Sequence, residues 1–94
     1  MSRDQALSKI DDYFNNGEFE AELARRIAFK TESNLVGCEA ALQAYLDDEL
    51  VPCLADLGFT CEIFPNPRAY AGPFLVARRI EGDKLPTVMT YGHG

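Results

Sequence analysis

No stretch of this 94-residue sequence reaches the ~18 consecutive apolar residues that would span a bilayer, although 47% of its residues are hydrophobic. Insertion into a membrane is therefore not expected. The N-terminus, MSRDQALSKIDDYF, carries acidic residues and lacks an uninterrupted apolar stretch of the signal-peptide kind, so the chain reads as cytoplasmic. Positive charge is scarce. Nine Lys and Arg face fifteen Asp and Glu, giving a formal net charge of −6, and only Arg25-Arg26 and Arg78-Arg79 are adjacent. Such a surface repels a phosphate backbone and excludes nucleic acid as an expected partner. Cysteine is present but unpatterned: Cys38, Cys53 and Cys61 are odd in number and show no Cys-x-x-Cys spacing. That argues against both a disulfide framework and a thiolate zinc site, and leaves free, packed thiols. Internal repeats, low-complexity tracts and interdomain linkers are also lacking. A chain of this size buries about 60 to 65% of its unfolded surface, so it is at most one small domain.

What the sequence does contain changes character halfway along. Ser2 followed three residues later by Gln5 is a capping-box pattern, and Leu7, Ile10 and Phe14 recur at helical spacing until Asn15-Asn16-Gly17 supplies a stop. The spacing predicts a helix over 3–15. From Glu18, Phe19, Leu23 and Ile27 repeat every fourth residue while Glu20, Glu22, Arg25 and Arg26 fall elsewhere on the wheel, predicting a second amphipathic helix. TESN at 31–34 is turn and cap material. A long helix over 35–57 then carries Leu42, Tyr45, Leu46, Leu50, Leu54 and Leu57 in one stripe, expected to face a core. Pro52 should bend it about a turn behind itself, and Gly58 should end it.

Beyond Gly58 the period shortens. TCEIF alternates, PNPRAYAGP is a proline-rich surface connector, FLVARRI is β-rich, EGDKLP is a turn, and TVMTY is again β-rich. The turn is short enough to make the last two strands an antiparallel hairpin within a mixed sheet. Helices followed by a mixed sheet give an α/β layer. The charge clusters Asp11-Asp12 and Asp47-Asp48-Glu49 are expected to be solvated helix faces, not metal sites.

The last strand leads into Gly92-His93-Gly94, which holds the only histidine. The carboxyl end of a buried strand is where open α/β sheets place ligands, and flanking glycines allow close approach. The ordered succession RRIAFKTES, GCEAALQAYLDDELVPCLADLGF, TCEIF, FLVAR and TVMTYGHG resembles the N-terminus of the co-catalytic zinc peptidases and amidohydrolases of metallopeptidase family twenty. That family includes glutamate carboxypeptidase, aminoacylase, acetylornithine deacetylase and succinyl-diaminopimelate desuccinylase. The resemblance covers nearly the whole chain. It departs from the family at Lys30, near the place where members often carry proline, and in the connector NPRAYAGP.

The resemblance implies that 1–94 is the N-terminal part of a three-layer αβα catalytic domain, ending inside its first metal-binding motif. In the family's Gly-His-x-Asp signature, Gly92 and His93 match the first two positions and Gly94 the variable one, with an aspartate implied at position 95. It implies that His93 ligates one of two zinc ions, with cobalt as a possible substitute, and that the parent enzyme hydrolyses amide bonds of small peptides or N-acyl amino acids. The metals would activate a water and polarise the scissile carbonyl, and a glutamate beyond residue 94 would act as base. The chain alone is expected to bind no zinc tightly, to be inactive, and to need the remainder of the catalytic domain or to self-associate through the hairpin at 74–92. The alternative is a stand-alone acidic α/β interaction module in which His93 is an ordinary tail residue.

Overall fold

The computed structural model describes residues 1–69 and 71–94; Tyr70, within the expected connector, lies outside the described residues. The first two helices form where their caps predict. Helix α1 (Arg3–Asn15) opens with the full reciprocal box: Ser2 Oγ accepts from the Gln5 amide at 3.2 Å, and Gln5 Oε1 accepts from the Ser2 amide at 2.9 Å. Gly17, at φ 89°, makes the left-handed turn that only glycine adopts freely, and α2 (Glu18–Ile27) begins directly after it. Glu18 and Glu20 in its first turn and Arg25 and Arg26 in its last complement the helix dipole. The two helices pack as a hairpin, with Phe19 against Tyr13 edge-on at 6.0 Å and against Phe14 at 5.4 Å.

The long helix begins later than its spacing suggests and is not uniform. Helix α3 (Glu39–Ala44) runs into a π-helical stretch, Tyr45–Leu50, and then into α4 (Val51–Asp56), with right-handed helical dihedrals at each junction. These three segments make one continuous rod. Pro52 explains the middle one. In a regular α-helix its ring would collide with the carbonyl four residues back, and the wider turn ahead of it relieves that contact. The Val51 amide accordingly reaches back five residues to the Leu46 carbonyl. Past Leu57, Gly58 at φ 86° closes the rod: its amide bonds to Ala55 O at 2.9 Å and the Phe59 amide to Leu54 O at 3.0 Å, the paired bonds of a Schellman motif.

Strand β1 (Thr60–Phe64) pairs antiparallel with β2 (Phe74–Arg78), in the register Thr60↔Arg78 through Phe64↔Phe74. Cys61, Ile63, Leu75 and Ala77 share the half-buried face, and β1 lies against α4. The connector between the strands is tied by Asn66, which donates to Gly72 O at 3.0 Å and accepts from the Arg68 amide at 2.9 Å. Gly72 in turn lies on Leu42, where an added methyl group would meet Leu42 Cβ at 3.4 Å.

The chain is thus α/β, but its sheet corrects two expectations. The hairpin is made by 60–64 and 74–78, not by 74–80 and 87–91, and the sheet is purely antiparallel and two-stranded. TVMTY is neither helix nor strand and is exposed along its length, Met89 reaching 93%. A five-residue strand gains stability from cross-strand and covering contacts, and 87–91 has neither here. The core is correspondingly small: Leu42 and Leu46 are the buried apolar side chains among the described residues, each 8% exposed, while Leu57 from the same predicted stripe is exposed. A radius of gyration of 15.9 Å marks an open, flattened shape. A compact chain of this length would have about 12 Å.

Candidate functional site

His93 stands near the end of the exposed tail and makes no side-chain hydrogen bond or ion pair with the described residues. Its neighbour Gly94 comes back against the rod, where an added methyl group would lie 3.0 Å from Tyr45 Cε1. Nowhere among the described residues do three His, Cys, Asp or Glu side chains converge as a metal would require. The described residues do not by themselves surround a zinc ion. Asp11 and Asp12 are exposed, as their place on α1 suggests.

The polar groups that the fold does bring together lie elsewhere, between the α1–α2 hairpin and the rod. Glu49 corrects the expectation of a solvated acidic face. Asp47 and Asp48 are exposed, but Glu49 is only 5% exposed and paired with two arginines. Arg25 Nε donates to both of its oxygens, at 2.9 Å and 3.2 Å, and Arg26 Nε donates to Oε1 at 3.3 Å. Arg26 also uses its Nη2 to pair with Glu22 one helical turn earlier and to reach Cys53 Sγ at 3.2 Å. Glu22 accepts from the Tyr13 hydroxyl and lies 3.8 Å from the Cys53 thiol. One network thus joins α1, α2 and the rod, along an open groove of about 680 Å³.

The network sets the protonation of its members. The hydrogen bond from Arg25, helped by the charges of both arginines, holds the Glu49 carboxyl below the usual carboxylate range. The Tyr13 hydroxyl does the same for Glu22, with Arg26 adding to it, and the same hydrogen bond pushes the Tyr13 phenol up. Chemically the cluster is closed on itself. Each carboxylate has a cationic partner and each arginine a carboxylate, so it serves as a fastening.

Its consequence for α2 is an inversion. The polar side of the helix faces the rod, while Phe19, Leu23 and Ile27 are exposed, as are Leu7, Ile10 and Phe14 of α1. Spacing identifies the two faces of such a helix but not which of them meets a neighbour. A signal for Glu49 does exist in the sequence: it lies seven residues after Leu42 and three after Leu46, on the stripe itself, and Cys53 follows four residues later. Glu22 and Arg26 are likewise spaced as a helical pair.

No family model, curated protein or solved structure significantly matches this chain. No helix among the described residues is long and apolar enough to cross a membrane.

Proposed function

We propose that the chain is the N-terminal portion of a three-layer αβα catalytic domain of the metallopeptidase family twenty kind, in a zinc-dependent enzyme that cleaves amide bonds of small peptides or N-acyl amino acids. In this reading His93 supplies one ligand to a zinc site that other parts of the domain complete. In this reading the chain alone is inactive, because the remaining ligands and the general base belong to the rest of the domain.

One observation carries the reading. TVMTY is apolar on both faces and wholly exposed, and it runs directly into Gly92-His93-Gly94. A segment of that composition is suited to the interior of a sheet covered on both sides, with its carboxyl end at the ligand-binding edge. The outward apolar sides of α1 and α2 and the open overall shape support the same conclusion, since each leaves apolar surface for a larger domain to cover.

The test is the natural reading frame. An aspartate codon directly after Gly94, followed by small apolar residues, together with zinc-dependent hydrolysis of N-acyl amino acids or dipeptides by the encoded protein, is the expected result. His93→Ala in that protein should remove most turnover and lower its zinc content. A stop codon after Gly94 would refute the proposal and leave the acidic interaction module, and so would full activity with both metals bound in the alanine variant.

A further inference from the structure

We propose that the α1–α2 hairpin is a hinged arm, latched to the rod by Arg25 and Arg26 on Glu49, and that loosening this latch frees the arm while the rod and the β-hairpin stay folded.

The first ground is what holds the arm. Neither α1 nor α2 contains a buried residue, and their apolar stripes point away from the rod. Hydrogen bonds and ion pairs fasten the arm to the rod: Arg25 and Arg26 to Glu49, and Arg26 and Glu22 to Cys53. Polar pairing of this kind contributes much less than apolar burial and depends on both partners being charged. Arg25 is 58% exposed, so counterions reach one side of the latch.

The second ground is that the rest of the fold has its own fastenings. Leu42 and Leu46 are buried, Gly72 of the connector sits on Leu42, the Schellman motif ends the rod, and the β-hairpin packs on α4. None of these uses a residue of α1 or α2.

The third ground is the pivot. Residues 28–38 between α2 and α3 contain no helix or strand, and they include two positive-φ residues, Asn34 at 64° and Gly37 at 97°. Phe29, at the start of this linker, packs edge-on against Tyr45 at 5.7 Å. The arm is thus anchored at its base by Tyr45 and latched about one helical turn further along the rod at Glu49 and about two at Cys53.

The titratable and charged groups that line the groove with Glu49 are Tyr13 from α1, Glu22 and Arg25 from α2, and Asp48, Cys53 and Asp56 on the rod, with Arg26 bonded to Glu49 itself. Opening also uncovers the Cys53 thiol.

Hydrogen exchange read by mass spectrometry on the whole 94-residue chain tests this. Raising salt from about 0.01 M to about 1 M shortens the screening length from about 30 Å to about 3 Å. Exchange in 3–27 should then accelerate about tenfold or more, with 51–64 and 74–78 unchanged, as for a sub-global opening. Glu49→Gln and Arg25→Gln should each do the same at low salt, whereas Asp11→Asn, an exposed control, should have no effect. Thiol labelling of Cys53 in a Cys38→Ser, Cys61→Ser background should speed up in parallel. Exchange in 3–27 indifferent to salt would overturn the proposal, as would both halves accelerating together. The salt series on the unmodified chain decides the matter even if Glu49→Gln does not fold.

Discussion

Arg25 Nε bonds to both oxygens of Glu49, at 2.9 Å and 3.2 Å, although the arginine is largely in solvent and the carboxylate is almost wholly out of it. The pair is asymmetric: the buried partner needs the exposed one more than the reverse. A buried carboxylate deprived of its cation is strongly destabilising, whereas a freed surface arginine simply rehydrates.

Acid should therefore act through the carboxylates. Glu49 and Glu22 are both held below the usual range by their donors, so their folded values lie below the ordinary unfolded value of about 4.3. The stabilisation is fully present above that value and is lost as pH falls through the depressed folded values. Thermal unfolding followed by circular dichroism should give a midpoint flat between about pH 7 and 5 and falling below about pH 4.3. Glu49→Gln should lower the neutral-pH midpoint and flatten the acid limb; superimposable acid limbs would refute the assignment.

At the alkaline end Tyr13 should be the late titrator. Its hydrogen bond to Glu22 favours the neutral phenol and raises its pKa, so the associated stability is present below the unfolded value of about 10 and is lost as pH rises through the folded one. Phenolate absorbance in a pH titration should show one tyrosine lagging the others, and Tyr13→Phe should delete that late component. A titration whose late component survives in Tyr13→Phe would contradict the network.

Leu46→Ala tests the small core. The residue is 8% exposed, and truncating a buried leucine costs about 2 to 5 kcal/mol in well-packed interiors, the lower end applying where surroundings can relax. With only Leu42 beside it as a buried apolar residue among those described, a loss of about 2 kcal/mol should remove much of the chain's stability. Chemical denaturation would measure it. A change no larger than that of an exposed control such as Leu57→Ala would show that the core lies elsewhere.

The tail should drive association. Val88 and Met89 are among the most exposed apolar residues, and both edges of the β1–β2 sheet are open to another strand. Light scattering of the chain should show self-association growing with concentration, and the double substitution Val88→Lys, Met89→Lys should suppress it without altering the melting midpoint. A chain that stays monomeric at high concentration would count against pairing through this segment.

Local signals in the sequence were legible because they act over a few residues. The Ser2–Gln5 box, the stop at Asn15-Asn16-Gly17 and the Gly58 terminator each need only their own turn, and each stands where its pattern places it. The pairing of β1 with β2 was not legible. The six-residue turn drew the expected hairpin to the last two strands, whereas Asn66 bridges the nine-residue connector from inside. The polar network was half-written in the spacings of Glu22 with Arg26 and of Glu49 with Leu42 and Leu46. What spacing could not supply was the choice of α2's polar side as the inward one, which depends on how two helices meet. His93 was legible as a residue of interest; no partner for it stands among the described residues.

The π-helical stretch at Tyr45–Leu50 also acts as a change of phase. It accommodates one more residue than an α-helix would over the same turn, and each residue of an α-helix is worth about 100° of rotation. Side chains beyond it are accordingly turned relative to those ahead of it. Along the rod Leu42 and Leu46 are buried, while Leu57 beyond the stretch is exposed on the groove that it lines with Glu49 and Cys53. Removing a single residue within 45–50 would let the stretch close into α-helix while the residues beyond it keep their orientation, so Cys53 and Leu57 would stay on the groove they line with Glu49.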